Sequence, residues 1–186
     1  MAIASTPHTL EEFLRIPEEE PALELLDGVI TQKVSPKFHH GVLQAELIKQ
    51  IDGQGMPRKI ARAIPELRVN FPHASLVPDV AVYRWERLPV DSKGRIADVP
   101  AQPPDVAIEI ASPDQSVSAL VRKCLVYVAN GVGLAILVDP TDESVLSFRP
   151  EGQVAALRSS DRIDLGDTLP EFTLTVDRLV ASLRPD

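Results

Sequence analysis

Three charged residues lie inside apolar segments, where a charge is costly unless it has a partner. Glu109 falls in the apolar run 106–111, and Asp79 falls in the apolar run 76–82. Lys123 lies in the segment 117–128, which is apolar almost throughout. An ionised group in such surroundings is paired with an opposite charge or binds a metal ion. We therefore expect Asp79, Glu109 and Lys123 to converge on one buried polar site.

Two carboxylates and a lysine in one place have a clear chemical use. Carboxylate oxygens are hard ligands that suit Mg²⁺ or Mn²⁺, and such a cation acidifies water and offsets the charge of a phosphodiester under attack. A nearby ammonium group can orient the water or stabilise charge on the phosphate. The alternative is a structural Glu109–Lys123 salt bridge with Asp79 at a solvated strand end. The residue types alone leave both interpretations open.

Lys123 is preceded by a second base, Arg122, and only one of the two can face Glu109. Adjacent residues of a helix point roughly 100° apart. Lys123 shares its face with Leu120 and Tyr127, whereas Arg122 has the more polar neighbourhood. We therefore expect Lys123 to enter the site and Arg122 to lie outside it.

The hydrophobic periodicity and the turn residues predict the elements that position these side chains. The expected strands are a hairpin over 22–34 around Asp27-Gly28, then 66–71, 76–83, 105–111, 134–138, 144–149 and 153–158. The expected helices are a short one from the Thr9 capping box through Arg15, then 39–51, 116–129 and 176–183. The strands at 105–111 and 134–138 are apolar on both faces and form a βαβ crossover with the helix between them. The fold class is α/β, or α+β, with a mixed sheet flanked by helices.

The composition restricts the class of protein. A chain of 186 residues suits one domain over residues 1–186. The net charge of −8 argues against non-specific nucleic-acid binding, although bases outnumber acids between residues 29 and 68. The single cysteine, Cys124, excludes an internal disulfide and a cysteine-based zinc site. No apolar run is long enough to span a membrane, and the N-terminus lacks the features of a signal peptide. We expect a cytoplasmic protein.

Other enzyme chemistries find no motif in the sequence. It contains no GxxxxGK[ST] phosphate-binding loop, no GxSxG nucleophile elbow and no HExxH zinc motif. The adjacent histidines His39 and His40 diverge on a helix, so they do not form a zinc pair.

Six segments together resemble a known family in their order and spacing. They are ELLDGVI, SPKFHHGVLQAEL, LVPDVAVYRWERL, PPDVAIEIASPD, RKCLVYVANGV and AILVDP. The chain resembles the Uma-two family of restriction endonucleases, within the PD-(D/E)XK nuclease superfamily, from about Glu12 to the C-terminus. The resemblance implies a restriction-endonuclease-like core.

The resemblance also implies roles for individual residues. Asp79 takes the place of the motif's aspartate, and Glu109 takes the place of its (D/E) residue. The superfamily lysine lies two residues after the acid, where this chain has Ala111; Lys123, from the following helix, fits in its stead. Glu24 matches a family acid that supports the metal site. His40 matches a family histidine, although a histidine at a helix start with no catalytic role is the simpler interpretation.

The resemblance implies a Mg²⁺-dependent (or Mn²⁺-dependent) endonuclease acting on DNA. We expect the metal ion to bind Asp79, Glu109 and the backbone carbonyl of Ile110. A homodimer is expected, because two strands must be cut, and the apolar helix at 116–129 is a candidate contributor. The alternative is an interaction or structural module that keeps the nuclease fold with little or no cleavage. A basic rim around the site would support cleavage, and an acidic rim would support the alternative.

Overall fold

The computed structural model describes residues 7–100 and 102–185, and it contains four α-helices and ten strands in this part of the chain. The helices are α1 (Leu10–Phe13), α2 (Phe38–Gly55), α3 (Val117–Ala129) and α4 (Val176–Ala181). The strands are β1 (Leu23–Leu26), β2 (Val29–Gln32), β3 (Ala61–Pro65), β4 (Val69–Phe71), β5 (Ala74–Leu76), β6 (Val80–Arg84), β7 (Val106–Ile110), β8 (Leu134–Asp139), β9 (Ser144–Arg149) and β10 (Gln153–Arg158). The expected fold class, a mixed sheet flanked by helices, is confirmed. No helix among the described residues has the length and hydrophobicity needed to cross a membrane.

The larger sheet has six strands in the order β10-β9-β8-β7-β6-β3. Only β7 and β8 pair in parallel, and they are joined by α3, as the sequence predicts. Helices cover both faces. α2 and α4 pack in one hydrophobic cluster, and α3 packs in the other. The two faces of β7 are therefore both buried, which explains its nearly continuous apolar sequence.

The alternation of side chains along β7 and β6 decides where the charged residues point. Ile108 and Ile110 belong to the cluster with α2, whereas Ala107 and Ala111 belong to the cluster with α3. Glu109 shares the face of the two alanines and points toward α3. The strands β6 and β7 are antiparallel with Val80 opposite Ile108, so the same register places residue 79 opposite residue 109.

The smaller sheet, β2-β1-β5-β4, corrects one prediction. The sequence predicts a single strand over 76–83, but β5 ends at Leu76 in the smaller sheet and β6 begins at Val80 in the larger one. Pro78 has no amide hydrogen for a strand ladder, so the segment 77–79 passes from one sheet to the other. Asp79 therefore lies at the junction between the two sheets.

Further elements differ from the predicted ones in their bounds. α4 ends at Ala181 rather than Leu183, and β4 begins at Val69 rather than Glu66. α2 begins at Phe38 and continues to Gly55, four residues beyond the predicted end at Ile51. The capping box at Thr9 is present, but α1 ends at Phe13 rather than Arg15. β3 was not predicted, because its buried positions carry only the small side chains of Ala61 and Ala63.

Candidate active site

The first part of the polar cluster surrounds Glu109. Lys123, on α3, places its Nζ 2.8 Å from Oε1 and 2.9 Å from Oε2 of Glu109. The same Nζ lies 2.9 Å from Oε1 of Glu24 on β1, and the Tyr127 hydroxyl donates a 2.7 Å hydrogen bond to Oε1 of Glu109. All four side chains are buried. The structure thus brings together Glu24, Glu109 and Lys123 of the sequence-based set.

The second part of the cluster surrounds Asp79. The amide of Ile110 donates a 2.7 Å hydrogen bond to Oδ2. The Nζ of Lys33 lies 2.8 Å from Oδ1, and Nε2 of His40 lies 3.4 Å from the same oxygen. The contact of Ile110 with the site is therefore a hydrogen bond from its N–H to Asp79. The sequence-based expectation concerned its carbonyl group, as a metal ligand beside Asp79.

Glu66 and Gln44 extend the cluster on the Asp79 side. Lys33 Nζ lies 2.6 Å from Oε2 of Glu66. The side-chain amide of Gln44, on α2, donates to Oε1 of Glu66 at 3.0 Å and to the backbone carbonyl of Asp79 at 2.8 Å. Glu66 has a φ of +49°, a backbone conformation uncommon for residues other than glycine. The chain reversal after β3 thus turns this carboxylate toward Asp79.

The two parts of the cluster are connected through the backbone at the sheet junction. Asp79 bonds to the amide that follows Glu109, and Glu24 accepts a 2.7 Å hydrogen bond from the amide of Val77, two residues before Asp79. With the strand register, these bonds place Asp79 and Glu109 side by side. Arg122 lies outside, where its guanidinium is 2.6 Å from Asp27 and mostly exposed.

The environment separates the pKa values of the two central carboxylates. Burial raises the pKa of Glu109 to about 7; the charge of Lys123 opposes this rise, and the charges of Asp79 and Glu24 add to it. Burial also opposes ionisation of Asp79, but the hydrogen bond from His40 and the charge of Lys33 outweigh it and lower the pKa of Asp79 to about 2. Of these two carboxylates, Asp79 is therefore the one more firmly held in its ionised form, which is the form that binds a cation.

The chemistry of the donor set fits a divalent cation. Single ligand atoms of His40, Glu66 and Asp79 lie within 4.8 Å of one another. The cluster contains the carboxylates of Glu24, Glu66, Asp79 and Glu109 against the ammonium groups of Lys33 and Lys123. At a pH high enough for Glu109 to be ionised and His40 to be neutral, two negative charges are left over, which a divalent cation would offset.

This metal set shares Asp79 with the set expected from the sequence and differs in the other ligands. Both oxygens of Glu109 are already contacted by Lys123 and Tyr127. A carboxylate has about four lone-pair sites, so these contacts leave room for a further one. Glu66 and His40 line the cleft together with Asp79, whereas Lys123 does not.

A cleft of about 430 Å³ opens onto the Asp79 side of the cluster. Lys33, His40, Glu66 and Asp79 are among its lining residues, whereas Glu24, Glu109 and Lys123 are not. The remaining charged lining residues are Glu18, Glu20 and Arg68. The cleft therefore carries four acids against two bases, and its rim is acidic. By the criterion set from the sequence, this charge pattern favours the non-cleaving alternative.

Lys33, Glu66 and Gln44 are the members of the cluster that the sequence does not indicate. Lys33 follows the short strand β2 and Glu66 follows Pro65, in segments whose composition is that of ordinary surface. Asp79, Glu109 and Lys123 are identifiable in the sequence because each interrupts an apolar run. Lys33 and Glu66 do not interrupt one. The hairpin turn at Asp27-Gly28 indicates that the chain near Lys33 lies beside the strand of Glu24. It does not indicate what the side chain of Lys33 contacts.

The fold that holds this buried carboxylate pair and the lysine of the crossover helix is a nuclease fold. The chain belongs to the Uma2 family, described as "Putative restriction endonuclease", whose model matches residues 10–177. Among solved structures it is similar to a "putative nuclease belonging to DUF820" from Anabaena variabilis ATCC 29413, with 35% sequence identity and a TM-score of 0.90. That match covers 96% of this chain and 100% of the other. No curated protein matches the chain.

Proposed function

We propose that the protein is a metal-dependent endonuclease that hydrolyses phosphodiester bonds in DNA, with Mg²⁺ or Mn²⁺ as its cofactor. The observation that carries the proposal is the cluster of four carboxylates, three of them buried, and two ammonium groups, which leaves negative charge beside an open cleft. Membership of the Uma2 family and the nuclease named as a structural neighbour support the same reaction class.

Asp79 is the proposed central metal ligand, because it is ionised, buried and at the wall of the cleft. Glu109 is the second carboxylate expected from the sequence, together with the Ile110 carbonyl, and Glu66 and His40 are further ligands that the geometry offers. The cation supplies Lewis acidity, which makes water a better nucleophile at neutral pH and offsets charge on the phosphodiester.

The remaining residues of the proposed catalytic set hold the carboxylates in place. The ammonium of Lys123 fixes both oxygens of Glu109 and neutralises part of the charge that Glu109 and Glu24 bring into the core. Glu24 in turn fixes the backbone at Val77, two residues before Asp79. Through these contacts Glu24 and Lys123 set the distance between the two sheets at the junction.

A plasmid cleavage assay tests the proposed activity. Purified protein with Mg²⁺ or Mn²⁺ should nick or linearise supercoiled plasmid, and should be compared on single-stranded DNA. Asp79→Asn removes the negative charge with little change of volume and should abolish cleavage. Asp142→Asn is the matched control, because Asp142 is an exposed aspartate paired with Arg158 away from the cleft. Equal cleavage by wild type and Asp79→Asn would reject the assignment of the site.

The proposed assembly is a homodimer in the cytoplasm. Val117 and Leu125 of α3 remain 43% and 49% exposed after its inner face has packed on the sheet, so its outer face offers apolar surface for a second copy. Light scattering at micromolar concentration should give twice the chain mass of 20.3 kDa. The mass of a single chain would contradict the dimer.

The second candidate function is a metal-binding or interaction module with little or no cleavage. The acidic lining of the cleft favours it, because DNA phosphates are repelled by an excess of carboxylates. The two functions differ in one result: the module binds a divalent cation at Asp79 yet leaves plasmid and single-stranded DNA intact.

A further inference from the structure

Lys33 occupies the point of the cluster where two carboxylates and the cleft meet. Its backbone amide bonds to the carbonyl of Ala22, at the end of the β1–β2 hairpin. Its Nζ contacts Glu66 Oε2 at 2.6 Å, Asp79 Oδ1 at 2.8 Å and the carbonyl of Val77 at 3.0 Å. An ammonium group has three N–H donors, so every donor of Lys33 has an acceptor.

These contacts coincide with the ligands of the candidate metal site. Asp79 and Glu66 are two of the three residues whose ligand atoms lie close enough to share a cation, and Lys33 already contacts an oxygen of each. A divalent cation between Asp79 and Glu66 would lie next to the ammonium group, and like charges this close repel strongly where water is largely excluded. Lys33 and the cation therefore exclude each other from this position.

Lys33 has a route out of the position, whereas Lys123 does not. Lys33 lines the cleft, and its flexible four-carbon stem allows the ammonium group to turn toward solvent. Lys123 does not line the cleft, and it is held by Glu24 and Glu109. Lys33 is thus the one lysine of the cluster that could reach a substrate in the cleft.

We propose that Lys33 is an internal cation that exchanges with the divalent metal ion at Asp79 and Glu66, and that the displaced ammonium group contacts a phosphate of the nucleic acid in the cleft. The exchange adds positive charge to a cleft that is otherwise acidic, since the metal ion enters while the lysine stays at the wall. This inference rests on the proposed function and adds a substrate-contacting residue to it.

Amine footprinting of the wild-type protein tests the exchange without any mutation. The protein is treated briefly with an N-hydroxysuccinimide ester, with and without saturating Mn²⁺, and modification of each lysine is measured by mass spectrometry. Mn²⁺ should increase the modification of Lys33 severalfold. Lys123 should stay unmodified in both states. Lys37, which lies on the same loop and is more than half exposed, should react equally in both.

Calorimetry on the same sample separates the two possible failures. If the wild type binds Mn²⁺ and the reactivity of Lys33 does not rise, the exchange is wrong and the proposed metal site stands. If the wild type shows no Mn²⁺ binding, both the exchange and the proposed metal dependence are wrong.

A pair of variants tests the exchange independently. Lys33→Met keeps the length of the side chain and removes the competing charge, so Mn²⁺ should bind about tenfold more tightly or better, within the limit set by Coulomb repulsion at this range. Cleavage by Lys33→Met should nevertheless fall, because the phosphate contact is lost. Lys37→Met, which removes one charge from the neighbouring surface, should change neither property. Weaker Mn²⁺ binding by a folded Lys33→Met protein would indicate a purely structural lysine and overturn the inference.

Discussion

The hydroxyl of Tyr127 is a single group whose removal isolates one contact of the site. It donates a 2.7 Å hydrogen bond to the buried carboxylate of Glu109, while the ring packs edge-on against Phe71 with centroids 6.1 Å apart. Tyr127→Phe keeps the ring and removes the donor. Hydrogen bonds to charged groups contribute about 1.5–3 kcal/mol, so the free energy of unfolding, measured with urea at a pH above the pKa of Glu109, should fall by that order.

Tyr83→Phe is the matched control for this prediction. Tyr83 is also buried, but its hydroxyl donates to a neutral acceptor, the carbonyl of Gln102, at 3.1 Å. A neutral hydrogen bond contributes about 0.5–1.5 kcal/mol, so the loss should be smaller than for Tyr127→Phe. Equal losses in the two variants would mean that Glu109 is not charged in the folded protein.

At this scale the sequence identifies charges that interrupt apolar runs and misses charges that do not. Glu109 and Lys123 stand out because a strand and a helix surround them with apolar neighbours. Lys33 and Glu66 lie in polar segments, and their contacts with Asp79 and with each other depend on how the two sheets meet. How the two sheets meet is a matter of tertiary structure, so no local sequence pattern predicts it.

The β1–β2 hairpin is the element that carries Glu24 into the cluster and returns the chain to Lys33. Its turn requires Gly28, which has a φ of +76°. A Cβ added there would lie 2.4 Å from Cβ of Pro7, whereas Gly94 has the same φ of +76° and nothing within 4 Å of an added Cβ. Alanine at Gly94 would therefore introduce backbone strain alone, whereas alanine at Gly28 would introduce the same strain and a steric clash with Pro7.

Gly28→Ala should destabilise the protein more than Gly94→Ala does. A left-handed conformation costs a non-glycine residue about 1–2 kcal/mol, which is the loss expected for Gly94→Ala. Gly28→Ala should add the displacement of the segment at Pro7, and with it the hydrogen bond from the amide of His8 to the carbonyl of Gly28. Urea unfolding measures both variants. A loss at Gly28 no larger than that at Gly94 would show that the Pro7 contact contributes nothing.

The elements themselves could be predicted where they are strongly patterned. The crossover from β7 through α3 to β8 is marked by two apolar strands around a helix that ends at Asn130-Gly131. The break between β5 and β6 at residues 77–79 could not be predicted from the apolar pattern, because both strands that flank it are apolar. Pro78 cannot donate a hydrogen bond to a strand ladder, but only the pairing of β5 and β6 with different strands shows that the chain changes sheets.

For the whole molecule, the fold class and the family could be predicted from the sequence. The charge of the cleft could be determined only from the structure. The chain has a net charge of −8, and the excess of acids extends to the lining of the cleft beside Asp79. A metal ion would change this balance, because it brings two positive charges to carboxylates that Lys33 and Lys123 only partly neutralise. Metal binding at Asp79 is thus the condition on which the proposed chemistry depends.

Calorimetric titration with Mn²⁺ tests this condition most directly, because its heat reflects the bulk protein and is insensitive to traces of contaminating nuclease. Wild type and Asp142→Asn should bind Mn²⁺ alike. Asp79→Asn should bind more than about 100-fold more weakly, since even loss of an outer partner of a metal ligand costs about 10–100-fold. Glu66→Gln and Glu109→Gln then show which carboxylate shares the ion. Unchanged Mn²⁺ affinity in Asp79→Asn, or no binding by the wild type, would contradict the account.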